Sequence, residues 1–240
     1  MKSACFTVIL PAAGSSTRFR QGDKLMADLA GRSVLLHAVG LFANRPDVAR
    51  VVIATSADRL EIYRAAIAAH RFSAEIVLTF GGEERWGTVH CALAPSLVST
   101  EFVAIHDAAR PVTPRAVIDA AFAGAIQCGA AIPVMAEPAT LKRIGTSGMV
   151  EGTLDRRGIF QAQTPQCFRT QALRDAFTEL IAGGQCAAIT DDAQVAEAAG
   201  IPILATAGSN LNIKLTHAED LSLARAILEL GHAMAQPAAE

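Results

Sequence analysis

The sequence predicts an α/β protein built on a Rossmann-like, doubly wound and largely parallel sheet. Short apolar runs alternate with amphipathic segments up to about residue 134, as expected of alternating strands and helices. Small or charged residues follow several of these runs. A polar hairpin pattern interrupts the alternation only once. The chain has 240 residues, of which 51% are hydrophobic. This length allows one core that buries about 70–75% of the unfolded surface. We expect a single domain over residues 1–240, with a protruding β-hairpin arm at about 136–160.

The predicted strands are short apolar runs, many of them β-branched and bounded by loops. They are Cys5–Leu10, Val51–Thr55, Glu75–Thr79, Phe102–His106, Gly129–Val134 and Pro202–Ala205. The predicted arm has two alternating segments, Thr140–Ile144 and Met149–Leu154, around the turn residues 145–148. Because an isolated hairpin is marginally stable in water, we expect a partner surface, such as a second subunit, to cover it.

The predicted helices show apolar residues at helical spacing or recognisable start signals. They are Ser33–Phe42, a helix through Leu60, Tyr63 and Ile67, Arg85–Leu97, a helix from Thr113-Pro114 to about Gln127, Thr170–Ala182, Asp191–Ala199 and a last helix after residue 216. Thr113 is expected as an N-cap with Pro114 at the first helical position. Thr216 and Glu219 form the pattern of a capping box.

The bulk composition argues against several classes of function. The formal net charge is -2 and the sequence pI is near 6.3, so the basic excess of a general nucleic-acid binder is missing. The five cysteines contain no C-x-x-C pair, which favours reduced thiols in the cytoplasm over a metal cage or disulfide scaffold. No apolar run reaches the roughly 18 residues of a membrane helix, so we expect no membrane partner. The apolar N-terminal run favours a buried first strand over a signal peptide.

The loop after the first predicted strand is the most informative segment. Residues 11–14 read Pro-Ala-Ala-Gly, and their small side chains let the backbone approach a base or phosphate closely. Arg18, Arg20 and Lys24 add three cations in the same loop. The glycine spacing fits neither a Walker A loop nor a G-x-G-x-x-G fingerprint. Taken alone, this segment is also compatible with a solvated surface loop.

Further motif segments follow other predicted strands and helices along the chain. They are Gly-Gly-Glu-Glu-Arg-Trp-Gly-Thr-Val at 81–89, His-Asp-Ala-Ala-Arg-Pro at 106–111, Leu-Asp-Arg at 154–156, Gln-Thr-Pro-Gln at 163–166, Thr-Asp-Asp at 190–192 and Asn-Ile-Lys-Leu-Thr at 212–216. Together with Pro-Ala-Ala-Gly, they resemble the 2-C-methyl-D-erythritol 4-phosphate cytidylyltransferase family of non-mevalonate isoprenoid synthesis. The resemblance covers nearly the whole chain. Pro-Ala-Ala-Gly alone is shared by many sugar-nucleotide transferases, whereas the ordered set is much more specific.

The resemblance implies transfer of CMP from CTP to methylerythritol phosphate, with pyrophosphate as the leaving group. It implies Arg18, Lys24, Arg156 and Lys214 as catalytic residues, and Pro11, Ala12, Ala13, Gly14, Gly82, Glu83, Arg85 and Thr88 as nucleotide-binding residues. It implies Asp107, Arg110, Thr140, Thr164 and Thr190 as acceptor-binding residues. Asp107 is also the expected ligand of Mg²⁺, or of another divalent ion. A homodimer is implied through the arm, so that Thr140 and Arg156 serve the partner's site.

Simpler roles stay open for several of these residues. Arg110 can pair with Asp107, and Thr164 before Pro165 can be ordinary loop chemistry. Asp191 and Asp192 can be acids favoured at a helix start by the macrodipole, which for Asp192 is the preferred interpretation. For His106, a buried structural role is favoured over that of a base.

The sequence also departs from the family pattern. Asp23 stands where the family usually has a proline, and pairing with Lys24 would weaken the hold of that lysine on phosphate. Thr88 replaces a usual serine and keeps the hydroxyl. Ala139 replaces an aspartate of the arm, and extra residues around 136–138 lengthen the approach to it. These changes bear on arm packing and acceptor choice more than on nucleotidyl transfer.

Three other functions compete with this hypothesis. A cytidylyltransferase for a pentitol phosphate, such as ribitol 5-phosphate, keeps the chemistry and changes the acceptor. A nicotinamide-dependent oxidoreductase would need a glycine fingerprint and an acid at the end of the second strand, where Ala-Thr-Ser stands at 54–56. A catalytically inactive nucleotide-binding relative is opposed by the retention of Arg18, Lys24, Asp107, Arg156 and Lys214.

Overall fold

The computed structural model describes residues 6–14, 19, 22–184, 186 and 189–235, with the backbone alone for 231–235. Cys5, Arg18 and residues 236–240 therefore lie outside the described residues. The helices are α1 (Val34–Ala43), α2 (Ala57–Ala68), α3 (Arg85–Ala92), α4 (Arg115–Cys128), α5 (Thr170–Ala182), α6 (Asp192–Ala198) and α7 (Asp220–Ala235). A 3-10 turn covers Lys24–Met26.

Within the described residues, the strands of the main sheet are β1 (Phe6–Pro11), β4 (Val48–Thr55), β5 (Glu75–Phe80), β6 (Phe102–Ile105), β7 (Ala130–Ala136), β10 (Phe160–Ala162), β11 (Gln166–Arg169) and β12 (Leu204–Ala207). Two small hairpins contain β2 (Asp28–Leu29) with β3 (Arg32–Ser33), and β8 (Lys142–Ile144) with β9 (Val150–Thr153). The strand order is β10-β7-β11-β6-β1-β4-β5, and β12 also pairs with β7.

The sheet is parallel where the candidate site forms. Strands β5, β4, β1 and β6 are parallel neighbours, whereas β11 runs antiparallel to β6 and β7. From β1 the chain moves to β4 and β5 on one side and then returns to β6 on the other side. This reversal makes a crevice beyond the carboxyl end of β1, which is where open α/β sheets bind ligands. The α/β, largely parallel prediction is confirmed.

Alternating side chains of the central strands build a core on each face of the sheet. On one face, Val8 and Leu10 pack with Phe42 of α1 and Phe122 of α4. On the other face, Ile9 packs in a separate cluster that contains residues of α3, α5 and α6. The near-continuous apolar sequence of β1 therefore follows from burial on both sides, as expected for a central parallel strand.

Two predicted helix starts are wrong. Pro114 is the N-cap of α4 and not its first helical residue, and the Thr113 hydroxyl donates to the Asn212 side chain at 2.7 Å. The last helix starts at Asp220, whose carboxylate accepts bonds from the backbone N–H of Thr216 and of His217. A carboxylate one residue further along thus replaces the predicted capping box. An aspartate can fill this role because its side chain reaches two exposed N–H groups at once.

Other elements differ in extent. Helix α3 ends at Ala92 and not at 97, and β12 covers Leu204–Ala207 and not 202–205. Strands β10 and β11, which return the chain from the arm to the sheet, were not predicted from the sequence. These strands are only three and four residues long, too short for periodicity to reveal them. Ser33 and Asp191 cap α1 and α6 as their residue types favour.

The predicted hairpin is present in β8 and β9. Residues 146–160 are all exposed, and their apolar side chains include Met149, Val150 and Ile159. The division into one domain with this arm stays a prediction. Among the described helices, none is long and apolar enough to cross a membrane.

Candidate active site

A pocket of about 280 Å³ lies beyond the carboxyl ends of β1, β5 and β6. Four separate chain segments line it: the loop after β1, the start of α3, the turn after β6 and the approach to α7. The lining residues are Pro11, Ala12, Ala13, Gly14, Lys24, Leu25, Glu83, Glu84, Arg85, Thr88, Asp107, Ala108, Ala109, Lys214 and Thr216. Most predicted nucleotide-binding residues therefore share one cavity with Lys24, Asp107 and Lys214. Arg18 lies outside the described residues.

Glycines allow the loops after β1 and β5 to approach each other. A Cβ at Gly81 would lie 2.8 Å from the Ala13 Cβ, and one at Gly82 would lie 2.8 Å from the Gly87 carbonyl carbon. The Thr88 hydroxyl is 3.0 Å from the carbonyl oxygens of both Gly82 and Glu84, to which it donates. Gly82 and Thr88 thus hold the loop against α3, and Gly82 does not itself line the cavity.

Asp107 is the electrostatic centre of the pocket wall. Its Oδ2 lies 2.9 Å from the Lys214 ammonium and 3.5 Å from the Arg110 guanidinium. Its Oδ1 lies 3.3 Å from the Arg85 guanidinium. Burial alone would raise the pKa of the Asp107 carboxyl, but Lys214, Arg85 and Arg110 together hold that pKa well below its usual range. Asp107 is therefore ionised at any physiological pH.

Arg85 is held between two acids. Besides Asp107, its guanidinium contacts the Asp192 carboxylate at 2.8 Å, and the Asp192 side chain is fully buried. Burial opposes the charge of Arg85, but these two carboxylates outweigh burial and raise the pKa of Arg85. The preferred interpretation of Asp192 as a plain helix-start acid is wrong: Asp191 is the N-cap of α6, and Asp192 points inward to Arg85.

A chain of hydrogen bonds fixes the turn that carries Asp107. The Asp107 N–H donates to the Thr164 hydroxyl at 3.2 Å, and that hydroxyl lies 3.0 Å from His106 Nδ1. His106 Nε2 donates to the Arg110 carbonyl at 3.1 Å, so Nδ1 accepts the Thr164 proton. Burial lowers the pKa of His106 to about 4, which leaves the ring neutral at pH 7. His106 and Thr164 therefore act here as supports of the Asp107 turn.

The remaining predicted residues, the catalytic Arg156 and the acceptor-binding Thr140, Thr190 and Arg110, do not line this pocket. Thr140 and Arg156 are exposed on the arm, where the Arg156 guanidinium donates to the Pro138 carbonyl. Thr190 is exposed and its hydroxyl contacts the Gln194 side chain at 3.2 Å. Arg110 pairs with Asp107, as its simpler interpretation allowed, and also donates to the Asn212 carbonyl at 2.5 Å.

Several residues of the site were not predicted from the sequence. Five of them line the pocket and belong to or adjoin the motif segments: Leu25, Glu84, Ala108, Ala109 and Thr216. Another is Gln166, whose side-chain oxygen accepts bonds from the N–H groups of Asp192 and Ala193, each at 2.9 Å. No local pattern signals this contact, because it joins β11 to the start of α6 across 26 residues.

The model of one protein family, 2-C-methyl-D-erythritol 4-phosphate cytidylyltransferase, matches residues 6–230. The chain belongs to this family. A cytidylyltransferase of this name from Rhodopirellula baltica is 39% identical over 238 residues, which cover 94% of this chain and 96% of that protein. A bifunctional enzyme from Desulfotalea psychrophila is 36% identical, and the matched residues cover 92% of this chain but only 56% of that longer protein.

Solved cytidylyltransferase structures share the fold along nearly the whole chain. The Francisella tularensis protein has a TM-score of 0.79 at 27% identity and covers 93% of this chain and 100% of its own. The Thermus thermophilus protein has a TM-score of 0.76 at 29% identity and covers 94% of this chain and 99% of its own. The family resemblance inferred from the motifs is thus confirmed.

The donor set of the pocket restricts how a metal ion can bind. Among the described residues, no group of three or more His, Cys, Asp or Glu side chains is placed to hold one. Asp107 offers one buried carboxylate, already contacted by cations. Magnesium takes few carboxylates and completes its shell with water and substrate phosphates. The residues present therefore fit a magnesium ion that arrives with a nucleotide.

We predict that Asp107→Asn destabilises the protein at pH 7 by about 3–5 kcal/mol, because it leaves three cations around a neutral group. The low pKa of native Asp107 gives stability that is present above the unfolded pKa of about 3.9 and is lost as the pH falls towards the lower folded value. The stability difference between wild type and variant should thus stay constant above pH 5 and shrink below pH 4. Urea unfolding across this range measures it.

An exposed acid provides the control. Glu61→Gln changes a carboxylate on α2 that is 74% exposed and paired with the exposed Arg64, so it should alter the free energy of unfolding by less than about 0.5 kcal/mol. An Asp107→Asn variant as stable as this control would contradict the central position given to Asp107.

Proposed function

We propose that this chain transfers CMP from CTP to 2-C-methyl-D-erythritol 4-phosphate, giving 4-diphosphocytidyl-2-C-methyl-D-erythritol and pyrophosphate in the cytoplasm. Family membership supports the reaction. The observation that carries it is the arrangement of Lys24, Arg85 and Lys214 around a loop of small residues at the switch point of the sheet.

The charge balance of the pocket suits a triphosphate. Arg85, Arg110 and Lys214 all contact Asp107, and Arg85 also contacts Asp192, so three cations face two carboxylates in this cluster. Glu83 and Glu84 lie at the rim, where both are exposed and water screens their charge. A locally positive, partly dry cavity in a protein of net charge -2 favours a small polyanion over extended nucleic acid.

In the proposed reaction, a phosphate oxygen of the acceptor attacks the α-phosphorus of CTP. The new P–O bond forms as the bond to the β-phosphate bridging oxygen breaks, and that electron pair leaves with pyrophosphate. Such a transfer depends on positioning and on stabilising charge at the phosphorus. Lys24 and Lys214, with Arg18, would neutralise the growing negative charge, while Ala12, Ala13 and Gly14 would present backbone to the base. Glu83, Arg85 and Thr88, with Gly82 and Pro11, would shape the nucleotide pocket.

Magnesium is the proposed cofactor, and Asp107 is the residue that would hold it. When bound, the ion would neutralise phosphate charge and help orient the triphosphate. Lys214 already lies 2.9 Å from the same carboxylate, so the two cations would share Asp107 when nucleotide is present.

The acceptor is assigned from the family and from the approach to α7. Arg110, Thr164 and Lys214 surround the Asp107 turn, and Thr190 lies at the start of α6. Thr140 and Arg156 are exposed on the arm and do not line the pocket, which supports a site completed by the arm of a second subunit. The family match disfavours a pentitol phosphate as acceptor.

Pyrophosphate release from purified protein with CTP and magnesium tests the proposal. We expect release with methylerythritol phosphate and little with ribitol 5-phosphate, ATP, GTP or UTP. Release only with ribitol 5-phosphate would keep the chemistry and overturn the acceptor. No release with any pair, from folded protein, would favour a nucleotide-binding relative without activity.

A lysine variant links that activity to this pocket. Lys24→Ala should lower kcat by about 100-fold or more, the usual scale for loss of a charge that stabilises a transition state. Arg115→Gln, on an arginine that is 81% exposed on α4, is the control and should leave kcat unchanged. Equal rates for Lys24→Ala and wild type would remove Lys24 from the mechanism.

We also propose a homodimer formed through the arm. The exposed apolar residues Ile144, Met149 and Val150 would then be buried, which fits the low stability of an isolated hairpin. Light scattering during gel filtration should give twice the 25.1 kDa chain mass, and Met149→Asp with Val150→Asp should shift the protein towards monomer. A monomeric wild-type protein would contradict the dimer.

A further inference from the structure

The loop after β1 is attached to helix α2 at two points. The Arg59 guanidinium donates to the Gly14 carbonyl at 2.7 Å through Nη1, and its Nε lies 3.8 Å from Asp23 Oδ2. The Tyr63 hydroxyl, one helical turn further along α2, donates to the same Asp23 oxygen at 2.8 Å. Gly14 and Asp23 flank the segment that carries Arg18 and Arg20 in the sequence. Helix α2 therefore contacts the chain at both ends of this segment, at Gly14 and at Asp23.

The same aspartate sets the start of the turn that carries Lys24. Asp23 is the N-cap of the 3-10 turn Lys24–Met26, and its Oδ1 accepts a bond from the Leu25 N–H at 3.0 Å. Both carboxylate oxygens are thus engaged, one by the turn and one by α2. Since Lys24 follows Asp23 directly, fixing this carboxylate fixes the backbone from which the Lys24 side chain reaches the pocket.

The supporting side chains are largely buried. Tyr63 is fully buried, and the side chains of Arg59 and Asp23 are only 16% and 18% exposed. Burial and the neighbouring Asp23 carboxylate raise the pKa of the Tyr63 hydroxyl, so it keeps its proton and remains a donor. Hydrogen bonds to a carboxylate are about twice as strong as neutral ones, and here water reaches them poorly.

We propose that Asp23, Arg59 and Tyr63 are positioning residues for nucleotidyl transfer, which hold the two ends of the loop after β1, at Gly14 and Asp23, against α2 and set the position of Lys24. Arg59 and Tyr63 do not line the pocket, so they act through the loop. The inference rests on the proposed function for its effect on catalysis. It gives Asp23 a supporting role, in place of the weakening role expected from its charge.

The backbone of Asp23 provides a sharp test. Its φ of -77° is close to the value that proline imposes. Asp23→Pro can therefore keep the backbone conformation at this position without any side-chain hydrogen bond. In a protein that carries Asp23→Pro, the Tyr63 hydroxyl has lost this partner. Tyr63→Phe should therefore lower activity in the wild-type background and have no effect in the Asp23→Pro background.

The first readout is steady-state kinetics with CTP and methylerythritol phosphate. Tyr63→Phe and Arg59→Gln should each lower kcat/KM for CTP by about tenfold, the size expected from one lost hydrogen bond to a charged group. KM for methylerythritol phosphate should stay unchanged. The control is Arg64→Gln, on the same helix but 55% exposed and paired only with Glu61 among the ion pairs of the described residues, and it should retain full activity.

The second readout does not need the reaction. Trypsin can cleave after Arg18 and Arg20, and its rate there should rise when Gly14 or Asp23 is released from α2. Mass spectrometry of timed digests should show about tenfold faster cleavage at these two sites in Tyr63→Phe and Arg59→Gln, with the wild-type rate in Arg64→Gln.

The outcomes separate the two proposals. Faster cleavage and lower kcat/KM in both variants, with no Tyr63→Phe effect in the Asp23→Pro background, support the positioning role. Wild-type cleavage rates, or a Tyr63→Phe loss that persists in the Asp23→Pro background, overturn it while the proposed function stands. Wild-type protein that releases no pyrophosphate overturns the proposed function, and the cleavage rates then still decide whether α2 holds the loop.

Discussion

The ionised carboxylate of Asp107 is the charge on which the candidate site depends. Arg85 and Arg110 are largely buried and repel each other, and Lys214 approaches from the last segment before α7. A buried cation is costly unless a partner of opposite sign is close. Asp107 contacts all three cations, and Asp192 is a second partner of Arg85. Asp107 therefore holds three segments together in one wall of the pocket: the start of α3, the turn after β6 and the approach to α7.

The fold supplies the position of this carboxylate. Asp107 follows β6 at the edge where the chain has reversed around β1, and buried neighbours leave its turn little freedom. The Thr164 hydroxyl, itself part of the return from the arm, binds the Asp107 N–H and the neutral His106 ring. Asp192 anchors Arg85 from the side of α6, and Gln166 anchors α6 to the sheet. Residues far apart in sequence thus act together to position the Asp107 carboxylate.

Much of this arrangement could be predicted from the sequence. The apolar runs and the caps at Ser33 and Asp191 indicate the elements, and the segments at 11–14, 81–89 and 106–111 indicate the pocket. The inward orientation of Asp192 could not be predicted, because a helix-start acid has the same local pattern whether it faces water or Arg85. The same holds for Asp23, whose partners on α2 are about 40 residues away. Strands β10 and β11 were missed because three or four residues do not establish a period.

The structure of the protein bound to CTP and magnesium tests the central claim most directly. We expect the triphosphate between Lys24 and Lys214, the cytosine against the backbone of residues 12–14, and an Asp107 oxygen beside the ion. The Lys214 ammonium should then contact a phosphate oxygen as well as Asp107. Nucleotide bound elsewhere, or in this pocket with its phosphates directed away from Asp107 and both lysines, would contradict the account.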